Sequence, residues 1–162
     1  MIREAQPADL QGILALLAED AIRSFEEPAA PTARQRAALD ELIADPAHEV
    51  LVDERDGRLV ATAQVSWLRV LIYDGGLICQ IESVRTASDL RGQGIGKALM
   101  EYVVDRARER GCARIQLTTN SQRIRAHQFY ERLGFTASHV GMKLQLVGAD
   151  AGLRGRPEGS ST

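Results

Sequence analysis

Residues 91–97 read Arg91-Gly92-Gln93-Gly94-Ile95-Gly96-Lys97, with three glycines at alternate positions between two cations. An apolar, β-branched run from Leu77 to Thr86 precedes them and predicts a strand. An amphipathic segment with apolar residues at helical spacing follows them and ends at Gly111. A strand, a glycine loop and a helix start form an anion site, because the unpaired N–H groups of the first helical turn point toward the loop. The stretch therefore predicts a phosphate or pyrophosphate ligand.

Two common phosphate loops do not fit these residues. A nucleoside-triphosphate loop needs a glycine at position 91 and a hydroxyl at position 98, where this chain has Arg91 and Ala98. The dinucleotide fingerprint G-x-G-x-x-G fails from either possible start, because Lys97 or Leu99 occupies its last position. What remains is the pattern R-x-x-G-x-G, which begins at Arg91.

The composition bounds the class of protein. We expect one domain over residues 1–147 and a disordered, Gly- and Ser-rich tail over 148–162. The net charge of −2 gives no excess of positive charge of the kind that nucleic-acid binding requires. No apolar run reaches ~18 residues and the first ten residues lack a signal-peptide pattern, so we expect no membrane segment and a cytoplasmic protein. Cys79 and Cys112 lack metal or disulfide spacing, which predicts small core residues and no metal site.

The rest of the chain predicts a sheet covered by helices. Alternating or apolar runs predict strands at 2–5, 49–53, 59–70, 77–86 and 114–119, with one or two more within 135–147. Helices are predicted from Pro7, from Thr32, after the glycine loop and over 123–133. We therefore expect a single-domain α/β (α+β) fold. Its mostly antiparallel, twisted sheet would have six to seven strands, helices on both faces and one parallel strand pair at the ligand cleft.

Two blocks of residues resemble the GNAT N-acetyltransferase superfamily, over nearly all of the chain apart from the tail. The first is Ile81-Glu82-Ser83-Val84-Arg85-Thr86 with the following Arg91-Gly92-Gln93-Gly94-Ile95-Gly96. The second is Ala126-His127-Gln128-Phe129-Tyr130-Glu131-Arg132-Leu133-Gly134-Phe135. The resemblance implies acetyl-CoA as cofactor, with its pyrophosphate on the glycine loop. It also implies that the pantetheine arm pairs like an added strand near Val84 and Thr86.

The loop and the resemblance together define a predicted cofactor-binding set. Its members are Val84, Arg85, Thr86, Arg91, Gly92, Gln93, Gly94, Ile95, Gly96, Lys97, Asn120, Phe129 and Tyr130. Members of the family often carry an asparagine three residues before the alanine of the second block, but this chain has Arg123 there and its nearest asparagine is Asn120. Arg123 is either a phosphate contact or a solvated residue at a helix start.

The chemistry of acetyl transfer to an amine singles out Glu82. A primary ammonium has a pKa near ~10.4, so a base or a water chain must remove a proton before attack. Partial burial between Ile81 and Val84 would make Glu82 a better base, and in the resembling family a carboxylate here often acts through an ordered water. The alternative is that Glu82 points outward or bonds to neighbouring backbone.

Tyr130 is the candidate acid, because a phenol with a pKa near ~10 can protonate a departing thiolate. Adjacent helix positions cannot share one face, so we expect Phe129 to pack in the core and wall the channel while Tyr130 reaches the cofactor sulfur. The backbone N–H of Val84 is a candidate oxyanion donor, given a strand distortion that the family implies.

The leading functional hypothesis is an N-acetyltransferase that uses direct attack by the primary amine of a small molecule in a ternary complex. No cysteine is placed to form an acetyl-enzyme. A protein lysine or N-terminus as acceptor and a non-catalytic acyl-CoA sensor are the alternatives. Four residues are candidates for the wall of the acceptor site: Glu26, Glu27, Trp67 and Tyr73. A strand after Phe135 would allow a homodimer by edge pairing.

Overall fold

A five-stranded sheet organises the computed structural model, which describes residues 1–19, 30–144 and 146. The strands are β1 (Ile2–Glu4), β2 (His48–Arg55), β3 (Arg58–Arg69), β4 (Leu77–Thr86) and β5 (Cys112–Leu117), in that spatial order. The first three neighbouring pairs are antiparallel, and β4 and β5 are parallel. The predicted single parallel pair is confirmed.

The helices are α1 (Leu10–Ala18), α2 (Ala33–Ala44), the short turn α3 (Ile72–Gly75), α4 (Ile95–Glu109) and α5 (Ile124–Arg132). Two local signals explain where elements begin. Thr32 and Gln35 form a reciprocal capping box at the start of α2. Asp56 and Gly57 both have positive φ in the turn between β2 and β3, as a two-residue type I′ hairpin turn requires.

Two apolar layers lie on opposite faces of the sheet. One layer packs the inner side of α4 against β3 and β4, and its most deeply buried members include Val65, Ile81 and Leu99. The other packs α1 and α2 against β2, with Leu10 and Val52 among its buried members. Helices therefore cover both faces, as predicted, and β2 turns alternate side chains to the two layers, with Leu51 on the α4 side and Val50 and Val52 on the other.

The expected six to seven strands are not found: the sheet that the described residues form has five. The missing strands were predicted within 135–147, where apolar residues alternate from Val140 onward. Val140, Met142 and Leu144 are almost fully exposed in the structure. Alternation gives a segment one apolar face but supplies no partner strand, and residues 136–144 have no strand assignment. The homodimer that such a strand would build stays a prediction, and the predicted tail over 148–162 lies outside the described residues.

Candidate cofactor cleft and active site

The candidate site lies where β4 and β5 part. Their parallel pairing ends at Ile81 and Leu117, whereas β4 continues to Thr86. Beyond that point the chain of β5 turns away and returns as α5. A cleft of about 1110 Å³ separates the second half of β4 from α5, and the glycine loop lies at its end.

Most of the predicted cofactor set lines this cleft. The lining members are Val84, Arg85, Thr86, Arg91, Gly92, Gly94, Ile95, Gly96, Lys97, Phe129 and Tyr130. Gln93 lies instead in a smaller adjacent depression beside Arg58. Asn120 does not line the cleft: its side chain accepts from the backbone N–H of Gln122 at 2.9 Å, and its carbonyl accepts from that of Arg123 at 2.9 Å. Asn120 therefore shapes the turn before α5.

A β-bulge distorts β4 at the mouth of the cleft. Thr62 of β3 pairs with Arg85 and Gln64 pairs with Glu82, so Ser83 and Val84 together face the single residue Ala63. Ser83 has φ 56°, in the left-handed region. This is a distortion of the kind that the oxyanion hypothesis for Val84 requires; the role of its N–H group stays a prediction.

The glycine loop leaves open space where side chains would otherwise lie. Gly92 and Gly94 have φ 80° and 81°, a conformation that favours glycine, and a Cβ on either would point into open space. Gly94 is the N-cap of α4 and provides no side-chain cap for the first turn of that helix. A Cβ on Gly96 would lie 3.1 Å from Thr86 Oγ1, which explains the third glycine by close packing against β4.

Positive charge is concentrated in the cleft. Six cationic side chains line it: Arg85, Arg91, Lys97, Arg123, Arg125 and Arg132. No carboxylate lies among the described residues that line it, although the chain as a whole carries a net charge of −2. With the N-terminus of α4 at one end, the cleft fits an elongated ligand with several phosphate charges.

Sequence reasoning left Arg123 open and did not single out Arg125 or Arg132. Arg125, Phe129 and Arg132 follow one another by four and three residues, so they share one face of α5. That spacing was the available signal for a basic helix face toward the cofactor.

Tyr130 lines the cleft and is half-buried. Its ring packs edge to face against Phe129 at 5.1 Å and Phe135 at 5.7 Å between centroids. Burial raises the pKa of Tyr130, and the positive charges of Arg123 and Arg85 partly oppose that shift. The phenol is therefore held protonated at neutral pH, as a proton donor must be.

Phe129 packs against the core and walls the cleft, as expected, but the expectation that Tyr130 would take a separate face is wrong. Both rings line the cleft, and both pack against the core layer of α4. Consecutive residues point about 100° apart around a helix, but two rings of this size still meet edge to face.

Glu82 lies on the opposite side of β4 from the core residue Ile81, and it does not line the cofactor cleft. The expected partial burial of Glu82 is wrong, because its side chain is exposed. The parting of β5 from β4 removes the neighbouring strand at this position. Glu82 Oε1 accepts a hydrogen bond from Gln80 Nε2 at 3.0 Å.

The predicted acceptor wall is not assembled among the described residues. Trp67 is buried on the α4 side, where its Nε1 donates to Glu49 Oε1 at 3.2 Å and Arg110 stacks on its ring. Tyr73 is exposed, and its hydroxyl accepts from Arg114 at 3.1 Å. Glu26 and Glu27 lie outside the described residues.

The two cysteines are free, as expected of core residues. Burial raises the pKa of Cys79 to about 12, with smaller contributions from Cys112 and Glu49, so its thiolate is strongly disfavoured. Among the described residues, no cluster of His, Cys, Asp and Glu is arranged to hold a metal ion. None of the helices described is both long and apolar enough to cross a bilayer.

Comparisons with known proteins agree with this geometry. The profile of the acetyltransferase (GNAT) family matches residues 14–135. Glucosamine 6-phosphate N-acetyltransferase 1 of Oryza sativa subsp. japonica is 32% identical over 88% of this chain and 85% of its own length. The corresponding Trypanosoma brucei brucei enzyme is 31% identical over 60% of this chain, and the match spans only 65% of that enzyme.

A solved structure of a transcriptional regulator from Bacillus halodurans C-125 is also similar, with a TM-score of 0.84 and 41% identity over 90% of this chain and 99% of its own. Because the family profile covers most of the chain, the protein belongs to the acetyltransferase (GNAT) family. The sequence-based prediction of the family and of an N-acetyltransferase enzyme is confirmed at that level.

Proposed function

We propose that this GNAT-family protein moves an acetyl group from acetyl-CoA to the primary amine of a small molecule, by direct attack while both substrates are bound. The observation that carries the proposal is the cation-lined cleft between β4 and α5, which the half-buried Tyr130 also lines. The positive charge of the cleft would bind the phosphates of CoA, and the tyrosine would donate a proton to the sulfur.

Three parts of the cleft would hold acetyl-CoA. The glycine loop and the first turn of α4 would take the pyrophosphate, with Arg91 and Lys97 beside it. The unpaired edge of β4 around Val84 and Thr86 would accept the pantetheine arm as a strand. When bound, acetyl-CoA supplies the activated acetyl thioester.

The chain itself would move two protons. Glu82, which is exposed on the side of β4 opposite Ile81, would receive the proton of the attacking amine through a water. The Tyr130 phenol would give its proton to the sulfur as the carbon–sulfur bond breaks. The amine gains the acetyl group as the carbon–sulfur bond breaks and the thiol is released. The protons balance once Glu82 gives its proton to solvent and Tyr130 takes one back.

A small-molecule acceptor is supported by the relatives. The proteins of Oryza sativa and Trypanosoma brucei are named for glucosamine 6-phosphate, and a Salmonella typhimurium relative is named for aminoalkylphosphonates. These acceptors share a primary amine on a compact polar molecule. We propose that chemical class for this chain, without choosing one member.

A second candidate, an acetyl-CoA sensor without turnover, is favoured by one observation. The similar Bacillus halodurans structure is that of a transcriptional regulator. Both Glu82 and Tyr130 are present in this chain, and they support the enzyme over the sensor.

Measurement of thiol release from acetyl-CoA against a panel of amines separates these functions. The panel should contain amino sugars, their phosphates, aminoalkylphosphonates, polyamines, aminoglycosides, amino acids and a lysine peptide. Turnover with a small amine and not with the peptide supports the proposal. Tight acetyl-CoA binding with no turnover on any amine would favour the sensor over the enzyme.

Replacement of Tyr130 by phenylalanine tests the acid in the same assay. We expect kcat to fall by about 100-fold while acetyl-CoA still binds, because only the phenolic hydroxyl is lost. Since burial raises the pKa of Tyr130, the wild-type kcat should fall with rising pH only above pH 10, as the phenol loses its proton. The variant should lack this alkaline limb.

Tyr102→Phe is the matched control, because Tyr102 packs against the same core layer from α4 without lining the cleft. Its kcat should equal that of the wild type. Equal kcat in both variants would remove Tyr130 from the mechanism and leave the transferase assignment intact.

A further inference from the structure

Two glutamine side chains form a hydrogen-bonded pair where β4 and β5 are about to part. Gln80 of β4 and Gln116 of β5 lie directly opposite one another, one residue before the last pair of the parallel ladder. Gln116 Nε2 donates to Gln80 Oε1 at 2.7 Å. Both side chains are half-buried, so the bond is partly shielded from water.

The second end of Gln80 reaches the candidate base. Gln80 and Glu82 are two residues apart on one strand, and therefore project from the same face of the sheet. Gln80 Nε2 donates to Glu82 Oε1 at 3.0 Å. The three side chains form one directional chain of hydrogen bonds, from Gln116 through Gln80 to the carboxylate.

Only one orientation of the Gln80 amide satisfies both bonds. With its oxygen toward the Gln116 amide nitrogen, its own nitrogen faces the carboxylate. The reversed amide would set its oxygen against a carboxylate oxygen and its nitrogen against a donor, which loses both bonds. The Glu82 carboxylate, which only accepts, therefore sets which end of Gln80 it meets, and the bond from Gln116 holds the other end of that amide in place.

We propose that Gln80, held in place by its hydrogen bond from Gln116, is a positioning residue for Glu82. The inference rests on the proposed role of Glu82 as base. An exposed glutamate side chain has several rotatable bonds and samples many positions, and the strand that would have confined it ends here. The bond from Gln80 engages Oε1 and leaves Oε2 to receive the proton. Small errors in the placement of a catalytic group lower rates strongly, so a residue that restrains Glu82 matters for turnover.

The test is a set of methionine variants, which keep the length of glutamine but lose its hydrogen bonds. We expect Gln80→Met to lower kcat by roughly 10-fold with an unchanged KM for acetyl-CoA and for the amine. Gln116→Met should lower kcat by a smaller factor, about 3-fold, because Gln80 can still donate to Glu82 but loses the hydrogen bond that restrains its other end.

Gln64→Met is the matched control. Gln64 is a half-buried amide directly opposite Glu82 on β3, at a position that the hydrogen-bonded chain does not use. Its kcat should be that of the wild type. An equal loss in Gln64→Met and Gln80→Met would overturn the inference in favour of a general need for polar groups on this face.

A double-mutant cycle with Glu82→Gln distinguishes a positioning role from other causes. If Gln80 acts through Glu82, Gln80→Met should add little to the loss in Glu82→Gln. Full additivity would overturn the inference, as would a raised KM for the amine with unchanged kcat, which would make Gln80 an acceptor contact. If Glu82→Gln keeps the wild-type kcat, Glu82 is not the base and the proposed mechanism fails. The Gln80→Met variant alone cannot give that result, so the two failures are distinguishable.

Discussion

The two halves of β4 differ in what surrounds them. The first half, Leu77 to Ile81, pairs with β3 on one side and β5 on the other, and it carries the buried residues Ile78, Cys79 and Ile81. The second half, Glu82 to Thr86, has lost β5 and contains the bulge at Ser83 and Val84. One continuous strand is therefore a core strand for half of its length and an edge beside the cleft for the other half.

This difference shows what turns a strand into a site. Paired on both sides, a strand has its backbone groups satisfied and its side chains committed to packing. Where one neighbour leaves, backbone donors and acceptors face a cleft and polar side chains become reachable. The change occurs between two consecutive residues, Ile81 and Glu82, so it can be tested by substitutions only one residue apart.

The largest expected effect concerns the second half. Glu82→Gln should lower kcat/KM by about 100-fold, because the amide cannot take the proton of the amine. Its free energy of unfolding should stay within about 0.5 kcal/mol of the wild type, because the side chain is exposed. Steady-state kinetics and urea unfolding provide the two measurements.

Glu109→Gln is the matched control for Glu82, since it removes an exposed carboxylate at the far end of α4. It should leave kcat/KM unchanged. A stability loss in Glu82→Gln large enough to account for its kinetics would break the contrast between the two halves.

Ile81→Ala should have its main effect on the free energy of unfolding, in contrast to Glu82→Gln. Ile81 is 1% exposed in the α4 layer, and truncation of such a residue costs about 3 kcal/mol through lost burial and the cavity left behind. Measured by urea unfolding, this loss should exceed that of Val84→Ala, whose side chain is only half-buried. Equal losses of unfolding free energy in the two variants would mean that both halves of β4 contribute equally to the core.

The third effect concerns the loop that closes the cleft. Gly94→Ala should weaken acetyl-CoA binding by about 10-fold, because a left-handed backbone costs an alanine about 1 kcal/mol and the loop would relax from the conformation proposed to hold the pyrophosphate. Titration calorimetry with acetyl-CoA measures this change. Gly111→Ala, with φ 68° at the other end of the same helix, should lose similar stability and bind normally. Equal weakening in both variants would attribute the loss to α4 as a whole.

Much of the fold could be predicted because its signals are local. The alternation and apolar runs gave β4 its bounds, the capping pattern placed α2, and the loop from Arg91 to Lys97 located the cleft. These depend on residues within one turn or one strand of each other. The prediction of extra strands after Phe135 is wrong because alternation indicates which face of a segment is apolar but not which strand will pair with that segment.

The parts of the site that were missed depend on contacts distant in sequence. Gln80 and Gln116 are 36 residues apart, and neither belongs to a motif. Trp67 was assigned to the acceptor wall, but its pairing with Glu49 across β2 and β3 places it in the core. Glu82 was identified by its block, whereas its exposure follows from the departure of β5, which no residue near Glu82 encodes.

The smallest expected effect lies at the bulge that begins the second half. Ser83 has φ 56°, which costs a non-glycine residue about 1 kcal/mol, but glycine gains a similar amount of entropy in the unfolded chain. Ser83→Gly should therefore change the free energy of unfolding by less than about 0.5 kcal/mol and leave kcat unaltered. Ser83→Val should cost about 1 kcal/mol or more, because a β-branched residue strongly disfavours this backbone. If valine were tolerated as well as glycine in urea unfolding, the bulge would not be fixed by the left-handed backbone at Ser83. The boundary between the two halves would then be set by the departure of β5 alone.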